Sequence, residues 1–258
     1  MSAIHERCAR TIRRGMAALL LAACGLSAVP AGAAPPACQI IIGSCHLPPL
    51  STSAGTGILD RLEIEAFRRV GLVACIEPMN CERSLRSADS GMTDGDLLRV
   101  AEAVLPKAPN LMAVPEMIYS LPSSVFTLRA DLKVTGFDDL RPLRVGYVLG
   151  WKRLEEQVRA VEVLRARGPE ELFALLIEDK VDVVIYERAT GQALVRKLDR
   201  NDIRALEPPL VQVPTHVVLN RRHRKLIEPL AAALRALKAD GSYAAAFRDA
   251  GYPLPEKQ

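Results

Sequence analysis

The sequence has few of the features that would assign it to several common classes of protein. Beyond residue 33, no apolar run approaches the roughly 20 residues needed to span a bilayer. The four cysteines there include no Cys-x2-Cys pair, and only His46 lies near them in sequence, which disfavours a metal site. Ser/His/Asp and Cys/His arrangements are missing, and the loop at 53–57 lacks the lysine of a phosphate-binding loop. We therefore predict no membrane span, metal, cofactor or catalytic residue.

The formal charge of +4 comes mainly from the first 33 residues. That segment contains four arginines and a single acidic residue, Glu6. The rest of the chain has 30 basic and 29 acidic residues, a net charge of +1. The basic run at 221–225 is interpreted as a solvated entry to a helix. Since much of the basic excess lies in a segment that is expected to be removed, the pI of 8.8 does not indicate a nucleic-acid partner.

Residues 1–33 have the parts of an export signal. A basic start ends at Arg13-Arg14, an apolar stretch covers 16–29, and the small residues 31–33 offer a cleavage site. The alternative is a lipid anchor at Cys24, because residues 21–24 resemble a lipoprotein cleavage box. Both alternatives predict a periplasmic protein that is soluble apart from such an anchor.

The cysteines that follow this signal fit an oxidising compartment. Cys38, Cys45, Cys75 and Cys81 are even in number and allow three pairings. Cys38 and Cys45 bracket one predicted strand, and the other two lie in or just after the next. We prefer Cys38–Cys75 with Cys45–Cys81, which would join parallel neighbouring strands at both ends. Two local loops, Cys38–Cys45 and Cys75–Cys81, are the alternative.

Strand and helix patterns alternate along the chain, which predicts an α/β fold with mainly parallel sheets. Gly71 is a predicted helix stop. Two extended segments, 125–130 and 214–220, lack a turn where a domain boundary could fall, and we expect both to cross between lobes. The main predicted strands are 39–44, 72–79, 144–149 and 181–186, and the main predicted helices are 58–70, 82–90, 169–179 and 226–238.

The most informative segment for function is residues 82–100. It reads ERSLRSADSGMTDGDLLRV, which predicts a polar helix, an acidic turn at 94–96 and then Arg99. An arginine held by a turn beside a strand end is well placed to bind a small anion. The alternative for Arg99 is a surface salt bridge to Asp94 or Asp96.

Several stretches together resemble the bacterial extracellular solute-binding proteins of family 3. They are VFTLRADLKVTGFDDL at 125–140, LRVGYVLG at 143–150, ELFALLIEDKVDVVIYE at 171–187 and the closing helices at 226–251. Asp179 departs from the pattern, which usually has glycine there. The resemblance implies a two-lobed, type II-like periplasmic-binding-protein fold with two crossing strands as the hinge. Lobe one would comprise 38–128 plus 215–258, and lobe two 129–214.

The resemblance also implies a set of ligand-binding residues. Arg99 would bind a carboxylate, Glu187 an ammonium group, and the helix start at Gly150, Trp151 and Lys152 an anion. Trp151, the single tryptophan, is the best candidate to stack on a ligand, since the aromatic that the family often has in the first lobe is absent. The acidic stretch that includes Asp96 departs from the family pattern and favours a cationic group on the ligand. For Glu187, an exposed acid at a strand end is the alternative.

The function that the resemblance implies is capture of a small polar, amino-acid-like solute for the permease of an ABC transporter. The alternative is a sensory or accessory protein of the same fold that signals to a membrane partner. An enzyme is the least favoured reading, because the sequence offers no catalytic arrangement. We expect a monomer.

Overall fold

The computed structural model describes residues 37–254. The predictions for residues 1–33, including the export signal and the anchor at Cys24, lie outside these residues. In chain order the strands are β1 (Ile40–Cys45), β2 (Ala74–Met79), β3 (Gly95–Arg99), β4 (Leu111–Ala113), β5 (Tyr119–Thr127), β6 (Arg144–Val148), β7 (Glu162–Ala166), β8 (Val183–Glu187), β9 (Arg204–Ala205) and β10 (Val211–Asn220). The helices are α1 (Ile58–Arg69), α2 (Cys81–Ser90), α3 (Ala101–Val104), α4 (Lys152–Gln157), α5 (Pro169–Ile177), α6 (Arg188–Lys197), α7 (Ile227–Ala239) and α8 (Ser242–Asp249), and 3-10 turns cover Leu105–Lys107, Phe137–Leu140 and Arg221–Leu226.

The strands form two parallel groups joined by two antiparallel strands. Along the sheet the order is β2-β1-β3-β10-β5-β8-β6-β7. β1 is parallel to β2 and β3, and β6 is parallel to β7 and β8. Between these groups, β10 pairs antiparallel with β3 and with β5, and β5 pairs antiparallel with β8. The α/β fold with two long connecting strands is therefore as predicted.

Local signals explain several element ends. Asn80 caps α2 by accepting a hydrogen bond from the backbone N–H of Arg83, and Gly91, with φ at +80°, follows the last residue of the helix. Gly71, the predicted helix stop, has φ at +81° two residues after α1 ends. The structure thus confirms this stop.

The structure corrects the predicted acidic turn at 94–96. β3 already begins at Gly95, and Asp96 lies in that strand fully buried. A Cβ on Gly95 would lie 2.5 Å from the carbonyl oxygen of Val218 on β10, so the close pairing of these strands needs glycine. The first predicted crossing segment, 125–130, also started too late, because β5 begins at Tyr119.

Two disulfides join the ends of the β1–β2 pair. They link Cys38 to Cys75 and Cys45 to Cys81, with Cα atoms 5.7 Å and 4.4 Å apart. The preferred cross-strand pairing is thus the one that the structure contains. Within residues 37–254, no helix has the length and apolar character to cross a membrane, and no cluster of three potential metal ligands occurs.

Candidate ligand-binding cleft

A small cavity lies where both strand groups and both connecting strands meet. It encloses about 50 Å³. One wall comes from the ends of β1 and β3 with the adjoining α3, one from Gly150 and the start of α4, and the rest from the middle of β5 and the start of β10. The lining residues are Cys45, Leu47, Leu98, Arg99, Val100, Val104, Leu121, Ser123, Gly150, Trp151, Lys152, Arg153, Leu154, Val211 and Val213. Four of the predicted site residues, Arg99, Gly150, Trp151 and Lys152, are therefore brought together.

Arg99 is buried in an ion pair inside the protein. Its Nε donates to Asp96 Oδ2 at 2.5 Å, and its Nη2 donates to the carbonyl oxygen of Cys81 at 2.7 Å. The hydroxyl of Ser84 donates to the other oxygen of Asp96 at 2.6 Å. Burial raises the pKa of Asp96, although Arg99 and Ser84 act to lower it. The structure thus contains a salt bridge to Asp96, but it is buried and not at the surface as the alternative had it, and the ligand role of Arg99 stays a prediction.

The pairing of Asp96 with Arg99 depends on an irregular residue between them. Residues three apart in a regular strand point to opposite faces. Leu98, however, has φ at +67°, and the register of β3 against β10 shifts between His216 and Val218. This irregularity lets Arg99 reach back to Asp96. Nothing in the sequence indicates a left-handed leucine, so sequence reasoning missed Leu98.

The start of α4 is held against the backbone at the start of α2. A Cβ on Gly150 would lie 2.5 Å from the backbone nitrogen of Glu82, so only glycine permits this approach. The N–H of Gly150 donates to Glu155 Oε1 at 3.0 Å. Lys152 Nζ donates to Glu82 at 2.5 Å and to Glu155 at 3.0 Å. Burial acts to lower the pKa of Lys152, but these two acids raise it overall, so the side chain stays charged.

Trp151 lies at one end of the cavity and packs on an aromatic neighbour. Its ring stacks on Tyr186, with centroids 5.4 Å apart and planes 13° from parallel. Tyr186 is fully buried in β8. Trp151 is thus fixed by packing on one side while it lines the cavity. Its fluorescence should therefore report on what enters the cavity.

Glu187 lies outside this cavity. It is fully buried and caps α6, because its carboxylate accepts from the backbone N–H groups of Ala189 at 3.2 Å and Thr190 at 2.6 Å. The hydroxyls of Tyr119 and Tyr252 donate to the same carboxylate at 3.3 Å and 2.6 Å. The predicted alternative of an exposed acid is therefore wrong. Its predicted contact with a ligand ammonium group stays untested, and its oxygens already accept four hydrogen bonds.

Three ion pairs connect α4 to the elements across the cavity. Besides Lys152 with Glu82, Lys107 Nζ lies 2.6 Å from Glu156 Oε1, and Arg153 Nη1 lies 3.7 Å from Glu102 Oε2. The side chains of Lys107 and Glu156 are 43% and 40% exposed, and Glu102 is 83% exposed. Such exposed pairs stabilise little. The two exposed pairs therefore contribute little to holding the two sides of the cleft together.

We expect Glu156→Gln to lower the free energy of unfolding by less than about 1 kcal/mol, because an exposed ion pair contributes little. That corresponds to a fall in Tm of no more than about 4 °C. Differential scanning calorimetry against Glu162→Gln, a change at another exposed acid, gives the comparison. A fall several times larger would show that this pair holds the two sides of the cleft together.

Comparison with known sequences gives little guidance. No family model matches the chain. An uncharacterised protein from Shewanella oneidensis is 24% identical over 189 residues, which cover 69% of this chain and 70% of that protein.

Comparison with solved structures identifies the fold. The substrate-binding protein of an amino acid ABC transporter from Streptococcus pneumoniae, bound to L-arginine, has a TM-score of 0.66 and 17% identity, covering 82% of this chain and 93% of that one. The GluR0 ligand-binding core from Nostoc punctiforme, in complex with L-glutamate, has a TM-score of 0.66 and 17% identity, covering 81% and 98%. The chain therefore has the two-lobed fold of periplasmic binding proteins. Both of these neighbours are binding proteins.

Proposed function

We propose that the protein is an extracytoplasmic solute-binding protein that captures a small solute between its lobes and presents it to a membrane permease. The proposed lobes are 38–128 plus 215–258, and 129–214, with β5 and β10 as the hinge. The two disulfides support an oxidising compartment such as the periplasm.

The observation that carries this proposal is the position of the cavity. Its walls come from the ends of β1 and β3 in one strand group, from the start of α4 after β6 of the other group, and from both connecting strands. A solute there would contact both lobes. Its binding would therefore favour the closed form, which the protein reaches by bending at the two connecting strands. Ligand capture by hinge closure needs this arrangement and no chemical step.

Thermal melting of the purified, oxidised protein against a panel of solutes tests the proposal. The panel should contain amino acids, polyamines, organic acids, sugars and small uncharged alcohols and amides. A solute at about one hundred times its Kd should add about 2.7 kcal/mol to the free energy of unfolding. For a domain of this size, Tm should then rise by roughly 5 to 10 °C.

Val211→Phe provides the site-specific variant, because Val211 lines the cavity and a phenyl ring would fill it. Val161→Phe is the matched control, since Val161 is 71% exposed and lies outside the cavity. The proposal predicts that the stabilisation by the solute is lost in the first variant and kept in the second. It fails if no solute stabilises the protein, or if Val211→Phe responds as the parent does.

A further inference from the structure

The positive groups of the cleft are already neutralised by acids of the protein. Arg99 pairs with Asp96, Lys152 pairs with Glu82 and Glu155, and Arg153 lies nearest to Glu102. Arg86 also pairs with Glu82, so four carboxyl groups lie beside four cations. No positive charge is left over to balance an anionic solute.

An ammonium group would find no partner in the cavity either. Among the described residues that line it, none is an aspartate or a glutamate. Glu187, the predicted partner, lies outside the lining and already accepts four hydrogen bonds. Since a buried charge without a partner is costly, a solute with a free ammonium group is disfavoured.

Most of the cavity wall is apolar. The side chains of Leu47, Leu98, Val104, Leu121 and Val213 line it. Leu98 adopts its left-handed backbone conformation at a cost of about 1 to 2 kcal/mol for a residue with a Cβ. Strain of this kind tends to persist where function requires it, and here it places a branched apolar side chain in the wall.

Among residues 37–254, one fully buried side-chain donor of the wall-forming residues has no hydrogen-bond partner. Nε of Arg153 is buried and makes no hydrogen bond. A single oxygen acceptor on a solute could satisfy this donor, which would offset the cost of burying it. The cavity therefore combines an apolar wall with an unused buried donor.

We infer that the cleft selects a small, uncharged and mainly apolar solute with an oxygen acceptor, such as an alcohol or an amide, and not an amino acid. This inference rests on the proposed solute-binding function and narrows it. The enclosed volume of about 50 Å³ suits a molecule of a few heavy atoms.

A three-carbon series that differs in charge tests the inference. Propanol, propionamide, propionate, propylamine and L-alanine would each be titrated into the oxidised protein, with Trp151 fluorescence and calorimetry as readouts. Propanol or propionamide should bind saturably. The three charged compounds should bind at least about tenfold more weakly, because their charges lose water without gaining a partner.

Leu98→Asn is the test variant, because asparagine tolerates a positive φ but presents a polar group to the cavity. Leu198→Asn is the matched control at an exposed leucine outside the lining. Binding of the uncharged compound should weaken by about tenfold in the first variant and stay unchanged in the second.

Three results would overturn the inference. One is binding of propionate, propylamine or alanine as tight as that of the uncharged compounds. Another is equal affinity in the two asparagine variants, and the third is no saturable binding of propanol or propionamide. A charged solute from the larger panel whose effect is lost in Val211→Phe would refute this inference while leaving the solute-binding function intact.

Discussion

Replacing Glu187 with alanine is expected to lower the free energy of unfolding by about 3 to 5 kcal/mol, the range seen when a buried hydrogen-bonded charge is removed from its partners. The carboxylate caps α6 and accepts from two tyrosine hydroxyls. Burial, together with the charge of Glu187, raises the pKa of both tyrosines, so their hydroxyls stay protonated donors. Alanine would leave two hydroxyls and two helix N–H groups without their acceptor.

Chemical denaturation and calorimetry measure this effect, with Glu207→Ala as the control. Glu207 pairs with Arg188 at 2.8 Å and has a side chain that is 48% exposed, so its loss should cost less than about 1 kcal/mol. Tyr252→Phe removes the hydrogen bonds of the Tyr252 hydroxyl with Glu187 and with Thr190, and should cost about 2 kcal/mol. If Glu187→Ala unfolds with the same free energy as Glu207→Ala, the four hydrogen bonds contribute nothing measurable and this account of Glu187 is wrong.

Replacing Glu63 with methionine is expected to stabilise the protein increasingly as pH rises. Glu63 is fully buried in α1, neither of its side-chain oxygens has a hydrogen-bond partner, and burial raises its pKa from 4.5 to about 8. Between these values the folded protein keeps a proton that the unfolded chain has released. The parent protein should therefore lose about 1.4 kcal/mol per pH unit from this group.

The loss begins near the unfolded pKa and ends near the folded one, so it should reach about 4 kcal/mol between about pH 5 and about pH 8. Glu63→Met removes the titrating group and should flatten this part of the profile. Glu228→Met, at an exposed position of α7, should leave the slope unchanged. Denaturation curves measured at several pH values decide the matter. Parallel profiles for the parent and Glu63→Met would mean that burial of this carboxyl imposes no such cost.

The elements with a clear hydrophobic periodicity and a residue that marks their end could be predicted from the sequence. Gly71 ends α1 because glycine readily takes a positive φ. The short apolar strand β6, which ends near Gly150, carries its own signal. The early part of β5 has no recognisable strand pattern in the sequence, since it contains Pro122 and three serines. Those serines, Ser120, Ser123 and Ser124, are buried by the strands on either side, which is a tertiary effect that no local pattern shows.

Four of the predicted site residues, Arg99, Gly150, Trp151 and Lys152, line the candidate cavity, whereas Glu187 and Asp96 do not. The resemblance brought Arg99 and Gly150 to one cavity, because the order of elements determines which strand ends and helix starts face each other. The resemblance could not show that Arg99 would form an ion pair with Asp96, since residues 96 and 99 belong to opposite faces of a regular strand. Only the left-handed backbone of Leu98 brings them together.

The structure of the candidate cleft depends on whether the disulfide between Cys45 and Cys81 has formed. Cys45 lines the cavity, and the backbone carbonyl of Cys81 holds Arg99 in place. In a newly made chain with free thiols, Cys45 in the cavity wall would therefore not yet be bonded to Cys81, whose carbonyl oxygen holds Arg99. Oxidation would then act as a maturation step that completes this part of the cavity wall.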